Sequence, residues 1–133
     1  MLVQDFNNLT ITRETKGKLP SLPFLDMKNS ILGKSYDLSV VFVSKKRAIE
    51  LHQEWKSKND PVNILSFPLS KNEGEILISL DKAKTECKNF GQTFENYIGF
   101  LFIHGCVHLK GFSHGNKMEA VEKKFRKEFK IIS

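Results

Sequence analysis

The sequence predicts an α+β domain in which a mixed four-stranded sheet packs on helices, one of them central and buried. Three observations carry that reading. Short runs such as "YDLSVVFVS" at 36–44 alternate and are rich in valine, which marks strands. Other segments place apolar residues on one helical face, as with Ala48, Leu51 and Trp55, or Met118, Val121, Phe125 and Phe129. Residues 94–109 are apolar almost all round, the pattern of a helix at the centre of a domain.

The elements follow in order. "LVQDF" at 2–6 reads as a short strand. Pro20 and Pro23 interrupt the stretch from 13 to 35, leaving room for one short helix in "PFLDMKNSIL". The strand at 36–44 ends on Ser44, whose side chain can cap the helix "KKRAIELHQEWKSK". Asn59, Asp60 and Pro61 break the chain. "VNILSFP" is a strand closed by Pro68, "KNEG" a turn and "EILISL" a second strand, so the two form a hairpin. Asp81 caps a helix that runs to Phe90 and ends at Gly91. Thr93 caps the central helix, and Gly111 stops it. "NKMEAVEKKFRKEFKII" is a final amphipathic helix.

Composition narrows the class. A chain of 133 residues fits a single domain, here residues 1–133, and can bury a core without staples. With 40% hydrophobic and 27% charged residues it is a folded rather than a disordered chain. The best bilayer candidate, "YIGFLFIHGCVHL", is too short and carries two histidines, so no membrane partner is expected. The first residues lack the basic-then-apolar pattern of a signal peptide. Two cysteines are too few for a disulfide framework, which points to a reducing cytoplasm. The net charge of +6 is compatible with a nucleic-acid partner.

Three of the four histidines fall in "HGCVHLKGFSH", from His104 to His114. His104 and His108 are four apart and share a helix face. Gly111 lets the chain turn, and His114 returns from the loop. Three neutral nitrogens then converge, the ligand set of a catalytic zinc with a fourth position for water, one ion per chain. Nickel, copper and iron also suit histidine, so zinc is a preference among metals. The offsets match the metzincin protease signature, H-E-x-x-H-x-x-G-x-x-H, except that Gly105 replaces the glutamate that serves as general base. A different hydrolysis is therefore expected. Cys106 points elsewhere on the helix and reads as a buried, inert thiol, and His52 as a surface residue.

The motif resembles that of the YbeY family, H-G-x-x-H-L-x-G-[YF]-D-H, through His104, Gly105, His108, Leu109, Gly111, Phe112 and His114. Ser113 departs from the family aspartate. "NILSFP", "GEILIS", "LHQEWKSKNDP" and "KMEAVEK" also resemble family segments, so the likeness runs from about Tyr36 to the C-terminus.

The resemblance implies a zincin-like hydrolase domain and a metal-dependent, single-strand-specific endoribonuclease. It implies a role in 16S ribosomal RNA 3′-end maturation and ribosome quality control, with the small ribosomal subunit and its assembly factors as partners. Lys56 stands where the family has an arginine near the metal cleft; it keeps the charge and loses the planar fork. As candidate catalytic residues, Lys56 would steady charge on phosphate oxygens, and Ser66 would offer a hydroxyl or backbone group to substrate. The nucleophile is either water activated at the metal or the RNA 2′-OH. The basic residues Lys123, Lys124, Arg126, Lys127 and Lys130 either meet RNA phosphates or form a solvated helix face. The competing functions are a reduced metzincin-like zinc peptidase and a non-catalytic ribosome assembly factor with a structural metal.

Overall fold

The apolar residues are shared between the two faces of one mixed sheet, and that division sets where the histidines stand. The computed structural model describes residues 2–55 and 63–131. Its strands are β1 (Leu2–Phe6), β2 (Leu9–Arg13), β3 (Asp37–Val43), β4 (Ile64–Ser70) and β5 (Glu73–Ser79). Its helices are α1 (Phe24–Leu32), α2 (Lys45–Trp55), α3 (Leu80–Asn89), α4 (Phe94–Leu109) and α5 (Asn116–Glu128). The sheet order is β1-β2-β3-β5-β4. β2, β3 and β5 run parallel, while β1 and β4 pair antiparallel at the two edges.

The sheet has five strands where the sequence reading expected four. The missed strand is β2, "LTITR", which has only two apolar side chains, Leu9 and Ile11. Both are buried because β2 lies between β1 and β3, a distant partner against which Leu9 pairs with Leu38 and Ile11 with Val40. Pairing of that kind leaves little local signal.

Side-chain alternation along the strands assigns the two faces. Leu38, Val40, Phe42, Ile64, Ile76 and Ile78 join the main core with α1, α3, α4 and α5. Val43 and Leu77 turn to the opposite face and meet Ala48 of α2, with Val41, Leu51, Leu65 and Phe67 around them. At the centre of the main core lies α4, where Ile98, Phe102, Ile103, Cys106 and Val107 are fully buried. Each large apolar side chain so placed contributes about 1.5–3 kcal/mol relative to exposure.

The expected boundaries hold with four corrections: β5 begins at Glu73, inside the turn expected at 71–74, α5 ends at Glu128, short of its expected end, and α3 and β4 differ as follows. Ser44 caps α2 through the Arg47 N–H, and Thr93 caps α4 through the Asn96 N–H. The cap of α3, however, is Ser79 rather than Asp81: its hydroxyl accepts from the Lys82 N–H at 3.2 Å, and Asp81 lies in the first turn. β4 also continues past Pro68 to Ser70, with an irregular register between them. Proline is tolerated there because β4 is an edge strand and needs no outward N–H bond. Among the described residues no helix is long and apolar enough to cross a membrane. The break at Asn59, Asp60 and Pro61 lies outside the described residues, as do the side chains of His52 and Trp55.

Candidate metal centre

His104 and His108 occupy the last two turns of α4, and His114 follows from the loop before α5. The loop reverses at Gly111, whose φ of 115° suits a residue without Cβ. Its N–H bonds the His108 carbonyl at 3.0 Å, while Lys110 N–H bonds Cys106 O at 3.0 Å. These bonds satisfy the orphan carbonyls at the helix end and bring His114 back over it. One ring nitrogen from each histidine lies within 4.8 Å of the other two. Nitrogens around one tetrahedral zinc stand about 3.4 Å apart, so the trio is gathered close to ligating distance.

Two of the rings are oriented from behind. His104 Nδ1 is 3.1 and 3.2 Å from the two carboxylate oxygens of Glu122. His108 Nδ1 is 3.1 Å from the Phe112 carbonyl oxygen. A carboxylate and a carbonyl only accept, so each Nδ1 carries the proton and each Nε2 presents its lone pair. This is the usual support for a metal-ligating histidine. Glu122 is 7% exposed and lies on α5, with Arg126 Nη1 at 3.5 Å from it. The donor set therefore fits a metal ion: three neutral nitrogens, two of them fixed in tautomer.

The signal for Glu122 was the acidic "KMEAVEK" start of the last helix, which by itself assigned it no partner. Arg126 also departs from the sequence reading. It is buried rather than part of the exposed basic face, and its guanidinium lies 5.0 Å from the Phe100 ring centroid. Lys123, Lys124, Lys127 and Lys130 are exposed.

Gly105 answers for the missing glutamate. A Cβ there would come within 3.0 Å of Ile64 Cδ1, Ile76 Cδ1 and Ser66 Oγ. The helix sits close to the sheet here, so a side chain at 105 would have to push back the ends of Ile64, Ser66 and Ile76, which disfavours a glutamate in the place of the peptidase's general base. Ser66 stands at this contact, with its hydroxyl 3.4 Å from the Gly105 carbonyl oxygen, and it also lines the metal cleft. Lys56 lies outside the described residues. Cys106 is fully buried, and burial pushes its thiol far above the ordinary range, as expected of an inert thiol.

The trio opens into a cleft of about 690 Å³ bounded by edge strand β4, the C-terminal part of α3 and one side of α4 along its length. Its walls carry Phe67, Phe90, Tyr97 and Phe100 besides the histidines. A metal with three ligands at the end of an open cleft keeps room for water or substrate, unlike a closed structural site.

The model of the family described as Endoribonuclease YbeY matches residues 11–133, further towards the N-terminus than the motifs alone reach. A protein named Endoribonuclease YbeY from Staphylococcus carnosus is 30% identical, the alignment covering 99% of this chain and 94% of that one. One of the same name from Campylobacter jejuni subsp. jejuni is 34% identical over 81% of this chain and 86% of its own. The solution structure of TM1509 from Thermotoga maritima superposes with a TM-score of 0.65 at 26% identity, covering 91% of this chain and 88% of that chain.

Proposed function

Because this chain belongs to the YbeY family, we propose that it is a metal-dependent endoribonuclease which cuts single-stranded RNA, ribosomal RNA precursors above all. The observation that carries the reading is the histidine trio, backed by Glu122 and the Phe112 carbonyl, at the end of a cleft beside an edge strand. Zinc is the metal that three neutral imidazoles and an open position suit best, one ion per chain. When bound, it supplies Lewis-acid polarisation of a phosphoryl oxygen and lowers the pKa of water.

The chain's own residues do the rest. His104, His108 and His114 bind the ion. Glu122 holds His104 in the correct tautomer and balances the positive charge. The exposed edge of β4 offers backbone groups along which an extended RNA strand can lie, and Ser66 adds a hydroxyl on the same wall. Lys56 supplies a point charge for phosphate oxygens, without the bidentate fork of arginine. The exposed lysines of α5 give sequence-independent attraction for phosphate. Ribosomal RNA as substrate places the protein in the cytoplasm, with the small ribosomal subunit and its assembly factors as partners and the 3′ end of 16S RNA as the site of processing.

The test pairs metal content with cleavage. Untagged wild type carries one metal per chain by elemental analysis and cuts single-stranded RNA under RNase-free conditions. His108→Ala, folded by circular dichroism, loses both. Metal-replete wild type that leaves ribosomal RNA precursors intact would overturn the reading.

A further inference from the structure

One exposed aromatic ring of the metal cleft is held in place by its neighbours. Among the described residues the exposed large apolar side chains are Val3, Phe6, Ile49, Leu69 and Phe90. Such residues are ordinary when scattered, but Phe90 is the one of them that lines the cleft holding the histidine trio. It is 63% exposed. Tyr97 stacks on it with ring centroids 5.7 Å apart and an interplanar angle of 18°, and Phe100 lies parallel to Tyr97 at 6.2 Å and 6°. Both inner rings are anchored. Tyr97 is buried and its hydroxyl accepts from Asn63 Nδ2 at 3.1 Å, while the Arg126 guanidinium lies 5.0 Å from the Phe100 centroid. The backbone of Phe90 is tied as well: it is the C-cap of α3, and its N–H bonds the Cys87 and Lys88 carbonyls.

The ladder therefore ends in an aromatic surface that solvent reaches and that is already ordered. A flat ligand with a π-face gains by stacking there without the cost of ordering the ring. From Tyr97 the cleft continues along one side of α4, past Leu101, to His104 and His108. Tyr97 and His104 are seven residues apart on α4, a rise of about 10.5 Å. Stacked nucleotides advance about 3.4 Å each along a strand. We propose that Phe90 is a base-stacking platform of the RNA site, receiving one unpaired nucleobase roughly two to four nucleotides from the phosphate at the metal. This assignment depends on the nuclease reading above and adds a positioning residue to it. Every base has a π-face, so the platform takes any of the four and reads no sequence by hydrogen bonds. A base inside a duplex has both faces covered by its neighbours, so the ring recruits unpaired nucleotides.

The experiment uses one short single-stranded RNA and a set of copies, each with an abasic residue at a different distance from the cut. Binding is read by fluorescence anisotropy on metal-free protein, and cleavage on metal-loaded protein. In wild type one abasic position near the cut should weaken binding by roughly five- to 150-fold, the range for losing one base–aromatic stack. Phe90→Ala should weaken binding of the intact strand by the same factor and leave the strand abasic at that position unchanged. Phe90→Trp should restore binding, and Phe90→Leu, apolar but not aromatic, should not. Circular dichroism and metal content of all three variants should match wild type, since the ring is exposed. The platform is refuted if Phe90→Ala or Phe90→Leu binds the intact strand as wild type does, or if Phe90→Ala weakens intact and abasic strands alike. Cleavage by wild type would then leave the nuclease reading standing. Wild type that neither binds nor cuts the strand overturns both.

Discussion

Glu122 gives the sharpest test of how this site is held. Its carboxylate is within 3.2 Å of His104 Nδ1 through both oxygens and is 7% exposed. Glu122→Ala removes the acceptor that fixes the His104 tautomer and the negative charge behind the metal. Loss of such a partner lowers metal affinity by about 10- to 100-fold. At about 1.4 kcal/mol per tenfold, that is a weakening of about 1.4–2.8 kcal/mol. A second cost falls on the metal-free protein. Arg126 is 8% exposed and loses the carboxylate 3.5 Å away, though it keeps its position over Phe100. That distance is at the long end for a hydrogen bond, so the stability loss belongs near 1–3 kcal/mol, below that of a tightly formed buried pair. The assay is competition for zinc against a chromogenic chelator, with urea denaturation of the metal-free proteins alongside. Glu122→Gln keeps an oxygen that can accept from Nδ1 and should retain more metal affinity than Glu122→Ala. A folded Glu122→Ala that binds zinc within twofold of wild type would refute the assignment of Glu122 as the group that orients His104.

Other outcomes follow from the same contacts. Gly105→Ala should destabilise by about 1–3 kcal/mol, since its Cβ meets three atoms at 3.0 Å; a thermal midpoint equal to wild type would show that the helix–sheet contact yields. Tyr36→Phe should stabilise by up to about 1 kcal/mol, because the buried Tyr36 hydroxyl has no hydrogen-bond partner among the described residues. Burial also raises the Tyr36 and Tyr97 phenols, so the folded state holds their protons above pH ~10 while the unfolded state releases them. Stability therefore falls as pH rises through that range, and Tyr36→Phe should shrink the fall in denaturation curves taken at successive pH values. Lys28 has the opposite sign. Burial lowers its pKa, so the unfolded state binds the proton more readily and stability rises as pH climbs towards the ordinary lysine value near ~10.4. Lys28→Met should remove that rise and stabilise near neutrality, since the Lys34 carbonyl it serves also accepts from Asn8 Nδ2 at 2.9 Å. A loss of stability at neutral pH in Lys28→Met would mean the ammonium's hydrogen bonds outweigh its desolvation.

The local signals in this chain were reliable where they were self-contained. Ser44 and Thr93 cap their helices because a hydroxyl reaches an N–H three residues on, a contact written within four residues. The strands 36–44 and 75–80, rich in branched residues, formed close to their expected bounds. The histidine offsets were legible for the same reason. Two of them lie one helical turn apart and the third follows a glycine stop, so convergence needs only a helix and a turn. At the cap of α3, two nearby candidates competed: Ser79 wins over Asp81 because β5 ends on it with extended backbone, a matter of sheet register.

What the sequence determined by itself is therefore three histidines spaced to converge where they could hold a metal, and, with the segments around 63–68, 74–79 and 117–123, the family the chain resembles. The tertiary fold decided everything that crosses from one element to another. It made "LTITR" a strand, through pairing with β3 across more than twenty residues of intervening chain. It placed Glu122 of α5 behind His104 of α4, and it withdrew Arg126 from the basic face to sit over Phe100. It favoured glycine at 105 by pressing α4 onto Ile64, Ser66 and Ile76. The physical reason is common to all four. Helix periods, caps and turns are short-range preferences that a few neighbouring residues express, whereas burial, side-chain partners and steric clearance are set by surfaces that meet only once the chain has closed on itself.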